Sequence, residues 1–407
     1  MKIVHIGQDF NAGFGYQDNL LPKYHMQLGH DVIYIASTLN SGFDVERGVP
    51  PGDYAENGFT VRRIPIYGEF RRRFVLFKGL YAQLEREAPD YIFHHSATSP
   101  SIMTVCRYKK KHPEVFLALD NHADLTISGR VFWWKIFYYN LFWKIFLKPL
   151  TRYVDVFFGV TPGRCLFLHE ELGITWNKIR LLPIGAESMD EVGLMPPKEE
   201  LFARLKLDIS KKTIVHGGKI TPEKQCDRLL MAFSQIPGDD WQLALFGRIK
   251  DSRVAALIPR DARIKKVGWL NRPDTLSLLG HADLGVWNTQ HTTLLEDGVA
   301  AGLPMILRYY GGTCHLMRDS GLFLYEGSVR EIRDRLGFLM HNPDVLARFR
   351  ENAALHFKKL SYREVAAESL KYREARGEIL PIHQELTSAE YVDLDYPEFK
   401  KLRKRHA

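Results

Sequence analysis

The chain has 407 residues, of which 45% are hydrophobic and 26% are charged, a balance typical of a globular protein rather than a disordered or fibrous one. Its length exceeds what one hydrophobic core usually supports, so two domains are expected. A net charge of +8 indicates a polyanionic partner, either nucleic acid or an anionic membrane surface. The four cysteines lack the spacing of a disulfide framework, and no apolar signal region precedes the first strand, so we expect a cytoplasmic protein.

Short apolar runs recur along both halves of the chain and are separated by stretches long enough for a helix. This alternation predicts βαβ units, mostly parallel sheets and two doubly wound, Rossmann-like domains that face a deep cleft. Because acidic and proline residues interrupt the pattern after 186, we place the domains at 1–186 and 187–375, with a tail at 376–407. The predicted strands are 3–6, 31–36, 91–93, 115–119, 156–160, 179–182, 213–216, 242–246, 264–267, 284–287, 305–307 and 321–325.

Glycines mark the loop that follows the first predicted strand. Gly13 and Gly15 precede a helix, and at these positions they permit close approach of the backbone to an anion at the helix start. A plain tight turn explains the same two glycines equally well.

A histidine follows the strand predicted at 115–119. His122 lies between Asp120 and Asp124, and three roles are open to it: zinc ligand, general base, or neutral imidazole that hydrogen-bonds a hydroxyl group. His94 and His95, at the end of the preceding strand, are competing candidates.

Residues 130–152 mix tryptophan, tyrosine and phenylalanine with lysine and arginine. This pattern is typical of a helix that lies in the interface of an anionic membrane, and its charges are too frequent for a membrane span. The alternative is a helix buried between the sheet and its loops. Residues 69–84, which include the basic run 71–73, have the same composition and are expected to form a helix beside it. A membrane is favoured over nucleic acid because the chain lacks a helix-turn-helix or aromatic RNA-binding signature.

Two lysines follow the strand predicted at 213–216. Lys219 comes directly after Gly218, and Lys224 precedes the next helix. Together they can hold the two phosphates of a nucleotide diphosphate without a metal ion. Each lysine alone is equally consistent with a solvated side chain.

The most informative stretch, 284–312, predicts a strand, a polar loop, a helix with Glu296 in its first turns, and a second strand. Such loops lie at the carboxyl edge of a parallel sheet, where open α/β folds bind ligands. A lone carboxylate there suits a neutral polyol, because it accepts two hydroxyl hydrogen bonds. The alternative is a solvent-facing helix glutamate.

The segment EDGVAAGLP at 296–304 resembles the second half of the signature of family 4 retaining glycosyltransferases, in which two glutamates bracket the loop. Asn288 stands at the position of the first glutamate. The resemblance extends over nearly the whole chain and implies the GT-B architecture, with the tail at 376–407 returning to the first domain. It also implies transfer of a hexose-like sugar from a nucleotide-diphosphate sugar to an acceptor hydroxyl, with retention of configuration and without a metal.

The resemblance assigns roles to single residues. It implies that Lys219 and Lys224 stabilise the diphosphate, that Glu296 holds the ribose hydroxyls, and that His122 orients the transferred sugar. Trp269 lies where the family reads the nucleotide base, although a core tryptophan is an equal alternative. The implied donor contacts come from two glycine loops, the base-reading segment and the sugar-facing loop, namely Gly13, Gly15, Gly218, Trp269, Leu270, Asn288, Gln290, His291, Thr292 and Leu295.

In the family, first-domain helices face a lipid-linked acceptor. The resemblance therefore implies a lipid-linked or cell-envelope glycan as acceptor, and a protein peripheral on the inner face of the cell membrane through 69–84 and 130–152. It implies no cofactor beyond the nucleotide-sugar co-substrate, and the sequence does not choose between UDP and GDP.

Two other classes stay open. A sugar-nucleotide epimerase or a phosphorylase uses a similar two-domain cleft, but a phosphorylase requires a pyridoxal-binding lysine that we do not identify. The loss of the first glutamate at Asn288 is also consistent with a non-catalytic subunit that binds a nucleotide sugar and docks on a membrane.

Overall fold

The structure is a computed structural model that describes residues 1–40, 48–70, 74–124, 128, 131–188, 191–193, 195–289, 291–317 and 319–374. The chain forms two compact units, the first made of Met1–Ile184 and the segment that begins at Tyr362, the second of Gly185–Ser361. The sequence prediction keeps residues 362–375 in the second domain, whereas the apolar side of this segment is buried in the first unit's core. The predicted tail at 376–407 lies outside the described residues.

The described part of the first unit contains ten strands. They are β1 (Lys2–Gly7), β2 (Asp31–Ser37), β3 (Gly52–Glu56), β4 (Phe59–Ile64), β5 (Ile66–Phe70), β6 (Phe74–Phe77), β7 (Tyr91–His94), β8 (Phe116–Asn121), β9 (Val156–Gly159) and β10 (Ile179–Leu181). Eight of them form a sheet in the order β10-β9-β8-β7-β1-β2-β4-β3, in which only β3 and β4 pair antiparallel. Since β1 pairs with both β2 and β7, the loops after β1 and β7 flank the point where strand order reverses, a place where open α/β sheets bind ligands.

Six helices connect these strands: α1 (Gln17–Gln27), α2 (Leu80–Glu87), α3 (Ser101–Lys111), α4 (Phe132–Trp134), α5 (Lys144–Leu147) and α6 (Pro162–Glu170). The segment from α4 to α5 is continuously helical, because the intervening residues Lys135–Trp143 are π-helical. Residue 130, the predicted start of this aromatic segment, lies outside the described residues. Thr161 begins α6, since its side chain accepts a hydrogen bond from the backbone amide of Arg164 at 3.3 Å.

Residues 69–70 and 74–77 belong to strands rather than to the expected helix. β5 and β6 pair as an antiparallel hairpin, and the aromatic and β-branched residues of β6 favour this extended backbone. The expected neighbourhood with the 130–152 segment is confirmed, because the ring of Phe74 stacks on Trp143 with 5.9 Å between centroids. The basic run 71–73 lies outside the described residues.

One six-stranded sheet forms the second unit. Its strands are β11 (Lys212–Gly217), β12 (Trp241–Phe246), β13 (Ile264–Gly268), β14 (Leu284–Trp287), β15 (Met305–Arg308) and β16 (Gly321–Leu324). Its helices are α7 (Lys198–Leu205), α8 (Cys226–Ser234), α9 (Ser252–Leu257), α10 (Arg272–His281), α11 (Leu294–Ala300), α12 (Val329–His341) and α13 (Pro343–Leu360). The strand order β13-β12-β11-β14-β15-β16, with parallel neighbours throughout, is the Rossmann order. Its reversal point lies between β11 and β14.

The helix α14 (Tyr362–Glu374) completes the first unit. The ring of Tyr362 stacks on Tyr24 of α1 with 5.8 Å between centroids. The hydroxyl of Tyr91 in β7 donates a hydrogen bond to the backbone oxygen of Ser369 at 2.9 Å. The first unit is thus built from two separate parts of the sequence.

Each strand predicted from the sequence is present. Apolar runs of this length suit the strands of a parallel sheet, because helices cover both faces of such a sheet. The predicted α/β class with two doubly wound units is confirmed. Within the described residues, no helix combines the length and the hydropathy needed to cross a lipid bilayer.

Candidate functional site

The reversal point of the second sheet brings three loops together. The indole nitrogen of Trp287, at the end of β14, donates a hydrogen bond to the backbone oxygen of Gly217, at the end of β11, at 3.1 Å. Gly218 follows with a φ of 115°, and a Cβ on Gly247, after β12, would overlap the Gly218 carbonyl. Only glycine permits this approach, so the loops after β11, β12 and β14 converge at one edge.

Glu296 is buried at this edge, with 1% of its surface exposed. Its Oε1 accepts a hydrogen bond from Nε2 of His291 at 2.6 Å, and its Oε2 has no partner among the described residues. Gly312 leaves room for the histidine, because a Cβ at that position would lie 3.0 Å from the Cβ of His291. A solvent-facing glutamate is therefore excluded. An unpaired buried oxygen is costly, and a ligand that donates a hydrogen bond removes this cost.

Asn288, at the position of the family's first glutamate, is buried directly after β14, in the loop that leads to α11 and Glu296. Its amide donates hydrogen bonds to the backbone oxygen of Gly327 at 3.0 Å and to Oε1 of Gln225 at 3.3 Å. Gly327 has a φ of 61°, and a Cβ there would overlap Oδ1 of Asn288. A glutamate at 288 has no hydrogen to donate to these two oxygens, so the surrounding backbone is fitted to an amide.

The two predicted lysines differ in their surroundings. Lys219 is exposed after β11, whereas Lys224 is half-buried at the end of a short 3-10 turn, Pro222–Lys224. Burial lowers the pKa of Lys224, and Glu223 opposes this shift. The next residue, Gln225, bonds Asn288, so the structure brings the Lys224 segment to the end of β14.

The remaining donor-site predictions in this unit have mixed placements. Trp269 is 75% exposed, which excludes a core tryptophan, and the guanidinium carbon of Arg248 lies 5.9 Å from its ring centroid. Leu270 and Leu295 are buried in the core. The amide of Leu295 donates to the backbone oxygen of Thr292 at 2.9 Å, so it is already used within the fold. Gln290 lies outside the described residues.

In the first unit, Gly13 and Gly15 are exposed in the loop after β1. Gly13 has a φ of 75°, and its amide donates a hydrogen bond to Oε1 of Glu56 at 3.0 Å. The Gly13 amide, which we expect to approach an anion, is therefore already hydrogen-bonded to the carboxylate of Glu56.

His122 lies at the end of β8, with 42% of its side chain exposed. Its Nε2 lies 3.3 Å from Oδ2 of Asp120, whereas the Oδ2 of Asp124 lies 3.6 Å from the guanidinium of Arg164. The competing candidates are buried, with His94 1% and His95 6% exposed. Among these three histidines, His122 is the one that solvent or a ligand can reach.

Sequence reasoning missed a carboxylate beside His95, that of Asp18, and a second carboxylate, that of Asp9, whose pKa responds to Asp18. Asp18 on α1 places Oδ1 3.1 Å from Nδ1 of His95. Burial raises the pKa of Asp9 to about 6, with a further rise from the charge of Asp18. One signal was available: His5 interrupts the apolar strand β1, and a polar side chain at such a position needs buried partners.

Comparison with known proteins extends these observations. Residues 197–356, which lie in the second unit, match the family model described as glycosyl transferases group 1. A glycosyltransferase from Rickettsia africae ESF-5 is 15% identical, with a TM-score of 0.67 and coverage of 92% of this chain and 98% of that chain. HepE from Anabaena, solved in complex with UDP and glucose, is 14% identical, with a TM-score of 0.65 and coverage of 92% and 100%. WaaG, a glycosyltransferase involved in lipopolysaccharide biosynthesis, is 12% identical, with a TM-score of 0.58 and coverage of 92% and 100%.

A search of curated protein sequences found no match to this chain. The solved structures share its architecture over nearly their whole length, so the chain has the fold of GT-B glycosyltransferases, as the sequence resemblance implied. Within that fold, the second unit carries the region that is similar to group 1 glycosyl transferases.

Proposed function

We propose that the protein is a family 4-type retaining glycosyltransferase, which moves a hexose-like sugar from a nucleotide-diphosphate sugar to an acceptor hydroxyl without a metal ion. The observation that carries this proposal is the unpaired, buried Oε2 of Glu296 at the reversal point of the second sheet. A carboxylate oxygen in this position accepts hydrogen bonds from a neutral diol and repels a phosphate.

Glu296 would hold the ribose of the donor. His291 fixes the carboxylate by donating to Oε1, which leaves Oε2 for the ribose hydroxyls. The exposed ring of Trp269, on the loop after β13, offers a flat face on which a nucleotide base can stack. The nucleotide base would then lie along the carboxyl edge of the same sheet.

Lys224 and Lys219 would stabilise the diphosphate. Breaking the bond between the sugar and the diphosphate leaves negative charge on the leaving group, and preorganised cations stabilise that charge. A half-buried ammonium such as Lys224 has lost part of its hydration, which is why its pKa is lowered. An incoming phosphate supplies the missing counter-charge, and the resemblance assigns this role to both lysines.

His122 would orient the transferred sugar through its exposed imidazole. The family resemblance implies that departure and attack occur on one face, and that the leaving phosphate takes the proton of the acceptor hydroxyl. No enzymic nucleophile is then needed. Gly13 and Gly15 would close over the phosphates, a role that requires the Gly13 amide to leave Glu56.

An aromatic surface on the first unit supports a lipid-linked or cell-envelope acceptor at the inner face of the membrane. Trp133 is 65%, Phe137 56% and Ile145 63% exposed, and large apolar side chains of this kind seldom cluster on a surface without a partner. A cavity of about 380 Å³ lies among the rings of Phe70, Phe74, Trp133, Trp134, Phe137, Tyr138 and Phe142. The exposed residues Lys144 and Lys148 lie at the end of the same helical segment and supply the positive charge expected for contact with anionic headgroups. WaaG, which has a similar fold, is involved in lipopolysaccharide biosynthesis.

A second candidate is a non-catalytic subunit that binds the donor. It is favoured by Asn288, whose amide is built into the backbone at the position where the family has a glutamate. Turnover separates the two candidates, because such a subunit binds the donor and releases it unchanged.

The test is thermal stabilisation of the purified protein by UDP-, GDP- and ADP-sugars, followed by a donor hydrolysis assay. A ligand at 100 times its Kd stabilises the folded state by about 2.7 kcal/mol. Stabilisation by one donor together with its hydrolysis supports the enzyme. Stabilisation without turnover supports the non-catalytic subunit, and no stabilisation by any of these donors contradicts both.

A further inference from the structure

Three buried histidines form a continuous chain through the first unit. Nδ1 of His95 lies 2.9 Å from Oδ2 of Asp120, and its Nε2 lies 3.0 Å from Nδ1 of His5. Nε2 of His5 lies 3.0 Å from Nδ1 of His25, whose Nε2 lies 2.8 Å from the hydroxyl of Ser369 on α14. The chain thus joins the carboxylate that contacts His122 to the last described helix.

Both ends of this chain fix the positions of hydrogens. At one end, Nδ1 of His95 faces Asp120 at 2.9 Å and Asp18 at 3.1 Å, so it must carry a hydrogen. At the other end, the Ser369 hydroxyl lies 2.7 Å from the backbone oxygen of Ala366, which can only accept. The single hydroxyl hydrogen lies between those two oxygens, so Ser369 accepts a hydrogen bond from Nε2 of His25.

A count of hydrogens then gives the charge of the chain. There are four contacts to fill, from Ser369 through His25, His5 and His95 to Asp120, and each needs one hydrogen from a ring. Three neutral imidazoles carry one N–H each, which leaves one contact unfilled. One of the three rings is therefore an imidazolium.

The surroundings identify that ring as His95. Burial acts against its charge, but Asp120 and Asp18 raise the pKa of His95 above its usual value. Burial, followed by the charges of His25 and His95, lowers the pKa of His5 well below its usual value. Burial also lowers the pKa of His25 to about 3, and nearby His30 adds to that shift.

We propose that His5 and His25 form a proton-ordered chain that keeps His95 as an imidazolium, and that His95 acts through Asp120 as a positioning residue for His122. Oδ1 of Asp120 accepts a hydrogen bond from the backbone amide of Ser96 at 2.8 Å, and Oδ2 faces both His95 and His122. With its charge balanced by His95, Asp120 takes the Nε2–H of a neutral His122. Nδ1 of His122 is then left to accept a hydrogen bond from a hydroxyl group.

The backbone at the centre of this arrangement is unusual. Ser96 has a φ of 90°, a left-handed conformation that non-glycine residues seldom adopt, and this conformation aims its amide at Asp120. Groups from the neighbouring elements also face the chain, since the ring of Tyr34 in β2 stacks on His95 at 5.5 Å and His94 adjoins it in β7. His94 is held neutral, because burial lowers its pKa to about 4. Only the identity of the hydroxyl on His122 rests on the proposed function.

The first test is the protonation state of the histidine rings in the ligand-free protein, measured by long-range ¹H–¹⁵N correlation at neutral pH. Single His→Gln variants assign each ring. We expect His95 to be protonated on both nitrogens, and His5, His25 and His122 to be neutral with hydrogen on Nε2. Three neutral rings in the chain, or a charge on His5 or His25, overturns the proposal whether or not the protein transfers sugars.

The second test uses Ser369→Ala, which removes the acceptor for the Nε2–H of His25. The chain is then expected to reverse, so that each ring carries hydrogen on Nδ1 and His95 becomes neutral. Asp120 then has no charged partner in the chain and His122 is no longer held with its hydrogen on Nε2, so kcat/KM should fall. An unchanged kcat/KM together with unchanged ¹⁵N shifts contradicts the proposal.

Tyr91→Phe is the matched control. It removes the hydrogen bond from the Tyr91 hydroxyl to the backbone of Ser369 and so loosens the same turn of α14 without touching the chain. If α14 has only a structural role, both variants lower the Tm and neither moves the ring signals. Ser369→Thr keeps the hydroxyl and should restore the wild-type tautomers. Failure of the wild-type protein to use any donor contradicts the proposed function and leaves the ring measurement intact.

Discussion

Replacement of Glu296 by glutamine is expected to weaken nucleotide binding about 100-fold. Oε1 is occupied by His291, so the one carboxylate oxygen open to a ligand is Oε2, which can accept both ribose hydroxyls. Glutamine keeps the shape and the bond to His291 but presents an N–H group to these donors. Loss of two hydrogen bonds to a charged group, at about 1.5 kcal/mol each, amounts to about 3 kcal/mol.

Isothermal titration with UDP and 2′-deoxy-UDP, and with the corresponding GDP pair, isolates the contact to the ribose. The wild-type protein should prefer the ribonucleotide by about tenfold, and Glu296→Gln should lose this preference, because the interaction removed by the mutation and by the deoxy ligand is the same. A variant that still prefers the ribonucleotide as strongly as the wild-type protein would refute the assignment of Glu296 to the ribose.

Asp297→Asn is the control for this experiment. Asp297 is the adjacent buried carboxylate, but it is paired with Arg272 through two hydrogen bonds of 2.6 and 3.0 Å. Its replacement removes the charge that faces the half-buried guanidinium of Arg272, so it should lower the Tm of the second unit. The preference for the ribonucleotide should remain.

Other predictions concern charge, pH and the membrane. Lys224→Ala should reduce kcat/KM by at least 100-fold while Lys224→Arg keeps part of it, and an alanine variant with most of its turnover removes this lysine from the mechanism. The pKa values of His25 and His94 are lowered to about 3 and about 4, below the values in the unfolded chain. Because the folded protein holds both side chains neutral, their contribution to its stability is fully present above pH ~6.5 and is lost as the pH falls. Denaturant titrations of the first unit should show stability falling by about 1.4 kcal/mol per pH unit for each such histidine between pH 6 and 4, and a pH-independent midpoint contradicts this. Trp133→Ser with Phe137→Ser should abolish binding to vesicles of phosphatidylglycerol without changing the Tm, and unchanged sedimentation with vesicles excludes this surface as the membrane contact.

The sheets were predictable from the sequence because their strands are buried on both faces. Runs such as 284–287 and 305–307 consist of apolar residues and glycine, and turn residues precede them. β3 was missed because nearly all of its residues are exposed, so no apolar run marks it. For the segment that contains β5 and β6 we expected a helix, because its aromatic and basic residues are typical of an amphipathic surface. Composition alone does not distinguish the 3.6-residue period of a helix from the two-residue period of a strand.

The candidate site was predictable only where a residue type and a strand end coincide. His122 directly follows β8, and Lys224 and Glu296 lie in the segments that follow β11 and β14. Glu56 and Asp18 were not predictable, because each comes from a different part of the sequence than the group it contacts, and no short-range pattern records that pairing. The histidine chain spans from His5 to Ser369 and depends entirely on tertiary structure.

The division of the chain has a consequence for its synthesis. The second unit is inserted into the first, and its ends meet, since the backbone amide of Ala186 donates to the oxygen of Leu360 at 2.9 Å. On the ribosome, this insert can therefore fold to completion while the first unit still lacks α14. Until α14 emerges, the ring of Tyr24 is uncovered and His25 has no hydroxyl partner, so a nascent chain depends on a late helix to finish its earliest domain.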